Sequence, residues 1–448
     1  MSHLTFFHII CILYAVMILK FTIMTFGCKV NQYESQIMTE LLCENGYEKI
    51  HDHKGADICI VNSCTVTATG DSKCRKAIHR VRRENPDCII VLCGCMPQAF
   101  ADKPELFDGC DIVMGNTARR DIVSVLDEYR RDKKQIIRIA PHKKGESFEP
   151  MQVHDFSERT RAFMKIQDGC NRFCTYCIIP YARGRVRSKP LDIIAKEAQD
   201  LALNGYREIV LVGINLSAFG EEFDADIYDA VSTVCAIDGV DRVRLGSIEP
   251  ERMTEDILRK LSMLPKFCPH FHLSLQSGCD ATLKRMRRHY DTAEYRRIVG
   301  NIRSLFDNPS ITTDVMVGFV GESEEEFAQS LSFCYEMGFA KTHVFPYSRR
   351  KGTVADRMDG HIDEHLKHER ADVMIAHMLD AQKRFMQSQI GKRCSVLIEA
   401  IDKDGVYEGY TPNYTRVRIR DDSLISGQSV DVLITEAYDD YCVAEVVR

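Results

Sequence analysis

Residues 163–188 read Phe163-Met-Lys-Ile-Gln-Asp-Gly-Cys170-Asn-Arg-Phe-Cys174-Thr-Tyr-Cys177-Ile-Ile-Pro-Tyr-Ala-Arg183-Gly-Arg-Val-Arg-Ser188. A short apolar run of strand character ends in a polar turn, and three cysteines follow at spacings of four and three residues. Three thiolates can hold three irons of a 4Fe-4S cubane and leave the fourth open to the amino and carboxylate groups of a small ligand. A structural zinc ion wants four closed protein ligands instead. No fourth ligand stands at zinc-like spacing here. The bland alternatives are a zinc knuckle completed from elsewhere in the chain, or cysteines merely buried in a core. Tyr176 gives the loop an aromatic wall, and Arg183 and Arg185 add cations at its rim.

Downstream of this loop, β-rich apolar runs recur at 208–212, 243–245, 270–275, 311–318 and 341–345, separated by stretches of helical length. With 163–166 they predict a parallel six-stranded partial barrel, whose reacting groups belong at the carboxyl rim. Upstream, runs at 21–26, 58–61, 89–92 and 112–114 predict a separate parallel α/β sheet. Its strands deliver Cys28, Cys64 and the pair Cys93 and Cys95 at or just beyond their carboxyl ends, the edge where open α/β sheets bind ligands. Taken alone, those three loops are equally consistent with a second cluster and with redox-silent core cysteines. The charged stretch 132–157, with Pro141, Gly145 and Pro150, is expected to be a linker. After Gly391, alternating runs at 394–400, 415–419, 429–435 and 441–447 predict a small antiparallel β-barrel.

The chain has 448 residues, 45% of them apolar and 28% charged, enough for several packed cores and without disordered or low-complexity character. A formal charge of -6 argues against coating nucleic acid by bulk attraction, so any RNA site is local. Nineteen cysteines, an odd number, point to thiols and metal rather than a disulfide framework. The apolar segment 4–19 has no preceding cation and no cleavage signal, and falls short of the roughly 20 residues of a spanning helix. Residues 1–20 are therefore expected to be an upstream extension, with Met17 or Met24 nearer the start, rather than an anchor. A packed N-terminal helix is the plain alternative. The expected location is cytoplasmic, with no membrane attachment.

Both cysteine sets, in this order and followed by a small β-barrel, resemble the methylthiotransferase family of radical S-adenosylmethionine (SAM) enzymes. The resemblance spans Phe21 to the end of the chain. It rests on Gly27-Cys-Lys-Val-Asn-Gln-Tyr-Glu-Ser35, Leu245-Gly-Ser-Ile-Glu-Pro250, His272-Leu-Ser-Leu-Gln-Ser-Gly278 and Thr342-His-Val-Phe-Pro-Tyr-Ser-Arg-Arg-Lys-Gly-Thr353. Residues 29–35 and 183–188 look like the MtaB type, which methylthiolates N6-threonylcarbamoyladenosine at tRNA position 37. The sibling readings are a MiaB-type enzyme acting on isopentenyladenosine and a RimO-type enzyme acting on an aspartate of a ribosomal protein. A cluster-bearing RNA-binding protein without turnover is a reading from another class. Val320, Val354 and Cys279 depart from the family pattern, and none of them removes a ligand.

The resemblance implies an α/β chain of three domains. These are an N-terminal Rossmann-like cluster domain over 21–131, a radical SAM partial (β/α)6 barrel over 158–386, and an OB-like TRAM domain over 387–448. It implies two 4Fe-4S clusters, one on Cys170, Cys174 and Cys177 and one on Cys28, Cys64 and Cys95. One SAM would donate a methyl group to sulfur on the second cluster; another, cleaved at the first, would give a 5'-deoxyadenosyl radical that takes the adenine C2 hydrogen. Tyr176, Asn215, Ser247, Glu249 and Gln276 are the expected SAM contacts, and the other cysteines are expected to be structural. The implied partners are a tRNA anticodon stem-loop and a low-potential electron donor such as flavodoxin or ferredoxin, with the enzyme a monomer. Arg183, Arg185, Arg187 and Lys189, then Lys284, Arg285, Arg287 and Arg288, then Arg349, Arg350 and Lys351 are the candidate phosphate contacts. The C-terminal barrel is mostly acidic, so any RNA contact there falls to Tyr410, Asn413, Tyr414 and Arg416.

Overall fold

The computed structural model describes residues 18–155 and 160–447. The readings of 1–17 therefore lie outside the described residues. Chain order in the first domain is β1 (Lys20–Thr25), α1 (Lys29–Glu44), β2 (Glu48–Lys49), β3 (Ile58–Ser63), α2 (Ala68–Glu84), β4 (Ile89–Gly94), α3 (Cys95–Ala99), β5 (Ile112–Met114), α4 (Ile122–Asp132) and β6 (Ile136–Arg138). The strands form one parallel sheet in the order β2-β1-β3-β4-β5-β6. All six residues of β3 are buried, as expected of a strand covered on both faces. Met38, Leu42, Val125 and Leu126 pack on one side and Cys74, Ile78, Val81 and Met96 on the other. Met24 lies within β1, downstream of the fully buried Phe21.

The structure corrects the expected linker in its first part. Ile136–Arg138 pairs with β5 and carries the sheet past residue 131. The stretch that follows is strapped along α1: the Tyr33 hydroxyl donates to Met151 O (3.1 Å), Gln36 Nε2 to Asp155 O (2.6 Å), and the Asp155 amide to Glu40 (2.9 Å).

The central domain runs β7 (Arg161–Lys165), β8 (Gln167–Asp168), α5 (Ile179–Arg183), β9 (Arg187–Ser188), α6 (Leu191–Leu203), β10 (Glu208–Val212), α7 (Ile227–Cys235), β11 (Arg242–Leu245), β12 (Ser247–Ile248), α8 (Glu255–Ser262), β13 (His270–Leu273), α9 (Asp280–Arg285), α10 (Thr292–Leu305), β14 (Ser310–Val317), α11 (Glu324–Met337), β15 (Lys341–Pro346) and α12 (Glu364–Gln387). Parallel pairing gives the arcs β11-β10-β7 and β12-β13-β14-β15. They join where one strand position is broken at Gly246, so the six expected strands form a single open arc. The helices bury their apolar faces on it in one large core that includes Leu211, Phe271, Tyr295 and Phe339.

The C-terminal strands β16 (Arg393–Ile401), β17 (Tyr407–Tyr410), β18 (Arg416–Ile419), β19 (Ser429–Ala437) and β20 (Cys442–Val446) close a barrel in the order β16-β17-β18-β20-β19. Closure is through one parallel pair, β18 with β20, so the barrel is not antiparallel throughout as expected. It docks on the amino ends of the central strands: Arg242 donates to Tyr410 O and Ser395 O (both 2.9 Å), and Arg244 donates to Pro412 O (2.8 Å). Among the described residues, no helix is long and apolar enough to cross a membrane.

Candidate functional site

Adjacent strands β1, β3 and β4 end in consecutive positions of the sheet, with Thr25 opposite Asn62 and Ser63 opposite Gly94, so Cys28, Cys64 and Cys95 emerge side by side. Gly27 has φ +96°, and a Cβ there would lie 2.4 Å from Cys64 Cβ and 2.6 Å from its Sγ. Only glycine lets the Cys28 turn come that near Cys64. The Arg183 guanidinium donates from Nε to Cys95 Sγ (3.2 Å), while its Nη2 donates to Asn31 Oδ1 (2.7 Å) and Glu34 Oε2 (3.0 Å). Burial pushes the Cys64 thiol up to about 12 and raises that of Cys28, against the pull of Arg183. Bare thiols here are therefore protonated and release their protons on taking metal. Cys93, inside β4, is buried against Met38 (Sγ to Sδ 3.9 Å) and stands apart from the edge.

The second triad lies on the loop after β8. Gly169 has φ +71°, and a Cβ there would meet Arg185 O at 1.9 Å, so the chain turns into Cys170 through a space closed to side chains. Cys170 Sγ accepts from the Arg172 amide (3.5 Å) and Asn215 Nδ2 (3.7 Å), and Cys174 Sγ accepts from Arg288 Nη1 (3.4 Å). Burial pushes the Cys170 thiol up to about 11 and raises Cys174 and Cys177 as well. Thiolates bound to separate irons of a cubane stand farther apart than ligands sharing one ion. Among the described residues no three Cys, His or carboxylate side chains are gathered on a single ion. Amide and guanidinium donors aimed at sulfur, and glycine-tight turns beside it, fit thiolates on a cluster.

Two joints bring the triads together. Helix α3, which starts at Cys95, packs on α5, which follows Cys177, and Asn116 Nδ2 seals this with a bond to Ala182 O (2.7 Å). The loop after β15 reaches both: Arg350 Nη2 donates to Thr65 Oγ1 (2.6 Å) and Asp71 (2.8 Å) beside Cys64, and the Ala355 amide donates to Thr175 O (2.8 Å) inside the cysteine loop.

Of the expected SAM contacts, Asn215 is buried on Cys170 and its Oδ1 has no partner among the described residues, which leaves an acceptor free for a ligand. Glu249 pairs with Arg288 at the same place, and burial raises its carboxyl despite that cation. The Tyr176 hydroxyl meets Arg288 Nη1 at 3.5 Å. Ser247 bonds Ser274 (Oγ to Oγ 3.1 Å) on the lumen wall. Gln276 follows β13 in a left-handed conformation, φ +68°, pinned by its amide to Asp314 O (2.9 Å). Among these five, Asn215, Glu249 and Tyr176 gather around the cysteine loop, Asn215 on Cys170 and the other two through their shared partner Arg288.

That arrangement overturns part of the phosphate-contact reading. Arg183, Arg187, Lys189 and Arg350 are buried, and Arg288 is turned inward onto Glu249. Arg183 and Arg187 serve Asp168, Lys189 serves Glu197, and Arg350 serves Asp71. A buried cation must be paired, and each of these is. Arg185, Lys284, Arg287, Arg349 and Lys351 remain exposed.

A cavity of about 810 Å³ occupies the barrel lumen, from Cys28 and Lys29 to the C-terminal barrel. Tyr410 and Tyr414 stack on its floor (4.6 Å, 20°) under the guanidinium of Arg161, 5.1 Å from either ring centre. Burial would raise the Tyr414 phenol, but Arg161, Lys29 and Arg244 hold it below its ordinary value. On the wall His270, Thr312, His272 and Asp314 form a chain: His270 Nε2 to Thr312 Oγ1 3.3 Å, Thr312 Oγ1 to His272 Nδ1 2.9 Å, His272 Nε2 to Asp314 3.3 Å. The four residues singled out on the C-terminal barrel thus line the lumen floor rather than an outer face.

Three family models match: "Uncharacterized protein family UPF0004" over residues 20–115, the radical SAM superfamily over 164–334, and the TRAM domain over 387–447. The threonylcarbamoyladenosine tRNA methylthiotransferase MtaB of Bacillus subtilis is 37% identical over 430 residues, 95% of each chain. The chain belongs to the methylthiotransferase family of radical SAM enzymes. MtaB of Thermotoga maritima is 38% identical over 88% of this chain and 89% of its own. The tRNA-2-methylthio-N(6)-dimethylallyladenosine synthase of Clostridium perfringens is 33% identical over 96% and 98%. The radical SAM methyltransferase TsrM of Kitasatospora setae, 15% identical with a TM-score of 0.54 over 72% of each chain, shares the fold. As a radical SAM methylthiotransferase, the enzyme uses a 4Fe-4S cluster and SAM.

Proposed function

We propose that this methylthiotransferase acts on tRNA and places a methylthio group on C2 of N6-threonylcarbamoyladenosine at position 37. Cys170, Cys174 and Cys177 would hold the SAM-cleaving 4Fe-4S cluster, and Cys28, Cys64 and Cys95 an auxiliary 4Fe-4S cluster. The observation that carries this reading is the packing of α3 on α5, which sets the cysteine-bearing edge of the first sheet against the cysteine loop of the barrel. One base can then be served from both sides. Relatives named for threonylcarbamoyladenosine, at 37% and 38% identity, support the choice of base.

Adenine C2–H is not acidic enough for a general base, and SAM with a reduced cluster supplies a carbon radical that can take that hydrogen. The chain's own residues bind and exclude water. Asn215 and Arg288 orient the Cys170 and Cys174 sulfurs, Glu249 offers an acceptor to SAM hydroxyl or ammonium groups, and Tyr176 bounds its adenine. Ser247 and Gln276 complete the SAM contacts from the third and fourth strand positions. The electron comes from a small low-potential carrier of the flavodoxin or ferredoxin kind.

Anaerobic reconstitution should give about eight irons per chain, as two cubanes require. Incubation with anticodon stem-loops bearing threonylcarbamoyl- or isopentenyl-adenosine, and with ribosomal protein, followed by nucleoside and peptide mass spectrometry, should yield the 2-methylthio product of the first alone. Product from either of the others in its place would sink the assignment.

A further inference from the structure

The charges along the barrel lumen do not balance internally. Two carboxylates stand on its wall and each has a near partner: Asp314 lies 3.3 Å from the His272 ring, and Asp440 is paired with Arg416 (3.0 Å). Lys29, from the first turn of α1, and Lys341, at the start of β15, also line the cavity. Among the described residues neither ammonium group has an ion pair or a hydrogen bond; Lys29 lies 5.9 Å from the centre of the Phe163 ring and acts at longer range on Tyr414. Lys29 is half-buried while Lys341 stays exposed; a partly desolvated ammonium without a counter-charge is costly, and with a second cation facing the same cavity the pair favours an anionic occupant. Deeper in, Arg161 and Arg244 flank Tyr414 (5.1 and 4.6 Å), but they are paired with Glu399 and Glu208, so the unmatched charge is that of the two lysines.

We infer that Lys29 and Lys341 form a carboxylate-recognition site in the lumen, which selects a base whose N6 substituent ends in an anionic group. The inference rests on the threonylcarbamoyladenosine reading, whose threonyl group carries that carboxylate. The cavity, at about 810 Å³, is within the size range of nucleoside-scale ligand pockets. An isopentenyl group carries no charge and would leave both lysines unanswered while displacing their water, so the same pair disfavours it. Lys29 follows Cys28 directly, which ties recognition of the substituent to the edge from which sulfur would be delivered.

A phosphate of the RNA backbone offers the same anionic oxygens, and the test separates the two sources. Full-length reconstituted protein is titrated anaerobically with fluorescent anticodon stem-loops bearing adenosine, threonylcarbamoyladenosine, or its threonyl methyl ester at position 37. Wild type should bind the free carboxylate about 10- to 100-fold more tightly than the ester, the range of a charge-assisted contact. Lys29→Met and Lys341→Met should each shrink that ratio, and together bring it within about twofold of unity. Lys341→Met stands away from the proposed cluster ligands and keeps the test sound if Lys29→Met loses iron. Retention of the wild-type ratio in the double variant overturns the inference and leaves the substrate reading intact. Equal weakening of all three RNAs, with a shallower salt dependence, assigns the lysines to phosphate and also overturns it. Failure of the wild type to prefer threonylcarbamoyladenosine over adenosine sinks the substrate reading itself.

Discussion

Arg183 spends its planar fork on four partners from three segments: Cys95, Asn31 and Glu34, and Asp168. Burial alone would raise the Glu34 carboxyl, but Arg119, Arg183 and Lys165 hold it at about 2. Arg183→Met leaves that carboxylate with two cations and an unfilled donor position. Loss of about 3 kcal/mol or more is expected in urea unfolding of the anaerobic protein, with Arg183→Lys recovering only part, because an ammonium cannot reproduce the fork. Full stability in Arg183→Met would show the network to be dispensable. In the sequence Arg183 looks like a rim cation. Glu34, which captures it, lies 149 residues away, a distance no local pattern spans.

His270 carries a pH prediction. Burial first, then Arg244, Lys29, His272 and Arg161, hold its imidazole well below its ordinary 6.5, while Thr312 bonds it and Tyr414 packs on it (4.8 Å). The unfolded chain therefore binds the proton before the folded one does. Stability from this group is complete above about pH 6.5 and declines as pH falls below it, by up to about 1.4 kcal/mol per pH unit. Denaturation midpoints between pH 7.5 and 5.5 should fall less steeply in His270→Gln than in wild type. Parallel slopes would show that His270 titrates normally.

At the scale of elements, strands that are continuous apolar runs declared themselves, and Glu208–Val212 and Ile112–Met114 have the expected bounds. Strands that bury little did not. Ile136–Arg138 buries only its first residue, and Tyr407–Tyr410 contains Glu408 and Gly409, so neither presents an apolar pattern. The cysteine edges were legible because the residue type is chemically unusual and strand ends converge. The roles of Arg288 and Arg183 were not, since a cation run reads the same whether solvated or folded inward. The turn into α1 gives a sharp test. Gly27→Ala places a methyl group against Cys64 in a left-handed backbone. Reconstituted iron should drop from about eight to about four per chain, while the iron attributable to the barrel loop remains. Undiminished iron would argue against a cluster at that edge.

At the scale of the whole molecule, the C-terminal barrel is fixed by Arg242 and Arg244, both buried and both paired with Glu208. Five of their bonds reach across, to Tyr410 O, Ser395 O and Oγ, Pro412 O and Thr411 O. Replacing both by Ala removes these charge-assisted bonds and leaves Glu208 dependent on Arg161. Tryptic cleavage between α12 and β16 should quicken by about tenfold or more, since one such bond is worth roughly 1.5–3 kcal/mol. An unchanged digestion pattern would mean that other contacts suffice to hold the barrel.

Those tyrosines at the bottom of the lumen also turn an open-ended tube into a blind shaft. A shaft stopped at one end gauges how far a guest can be lowered. Loss of residues 392–447 would then do more than loosen a grip: it would remove the stop, and nucleosides with longer appendages would pass where the intact enzyme turns them away.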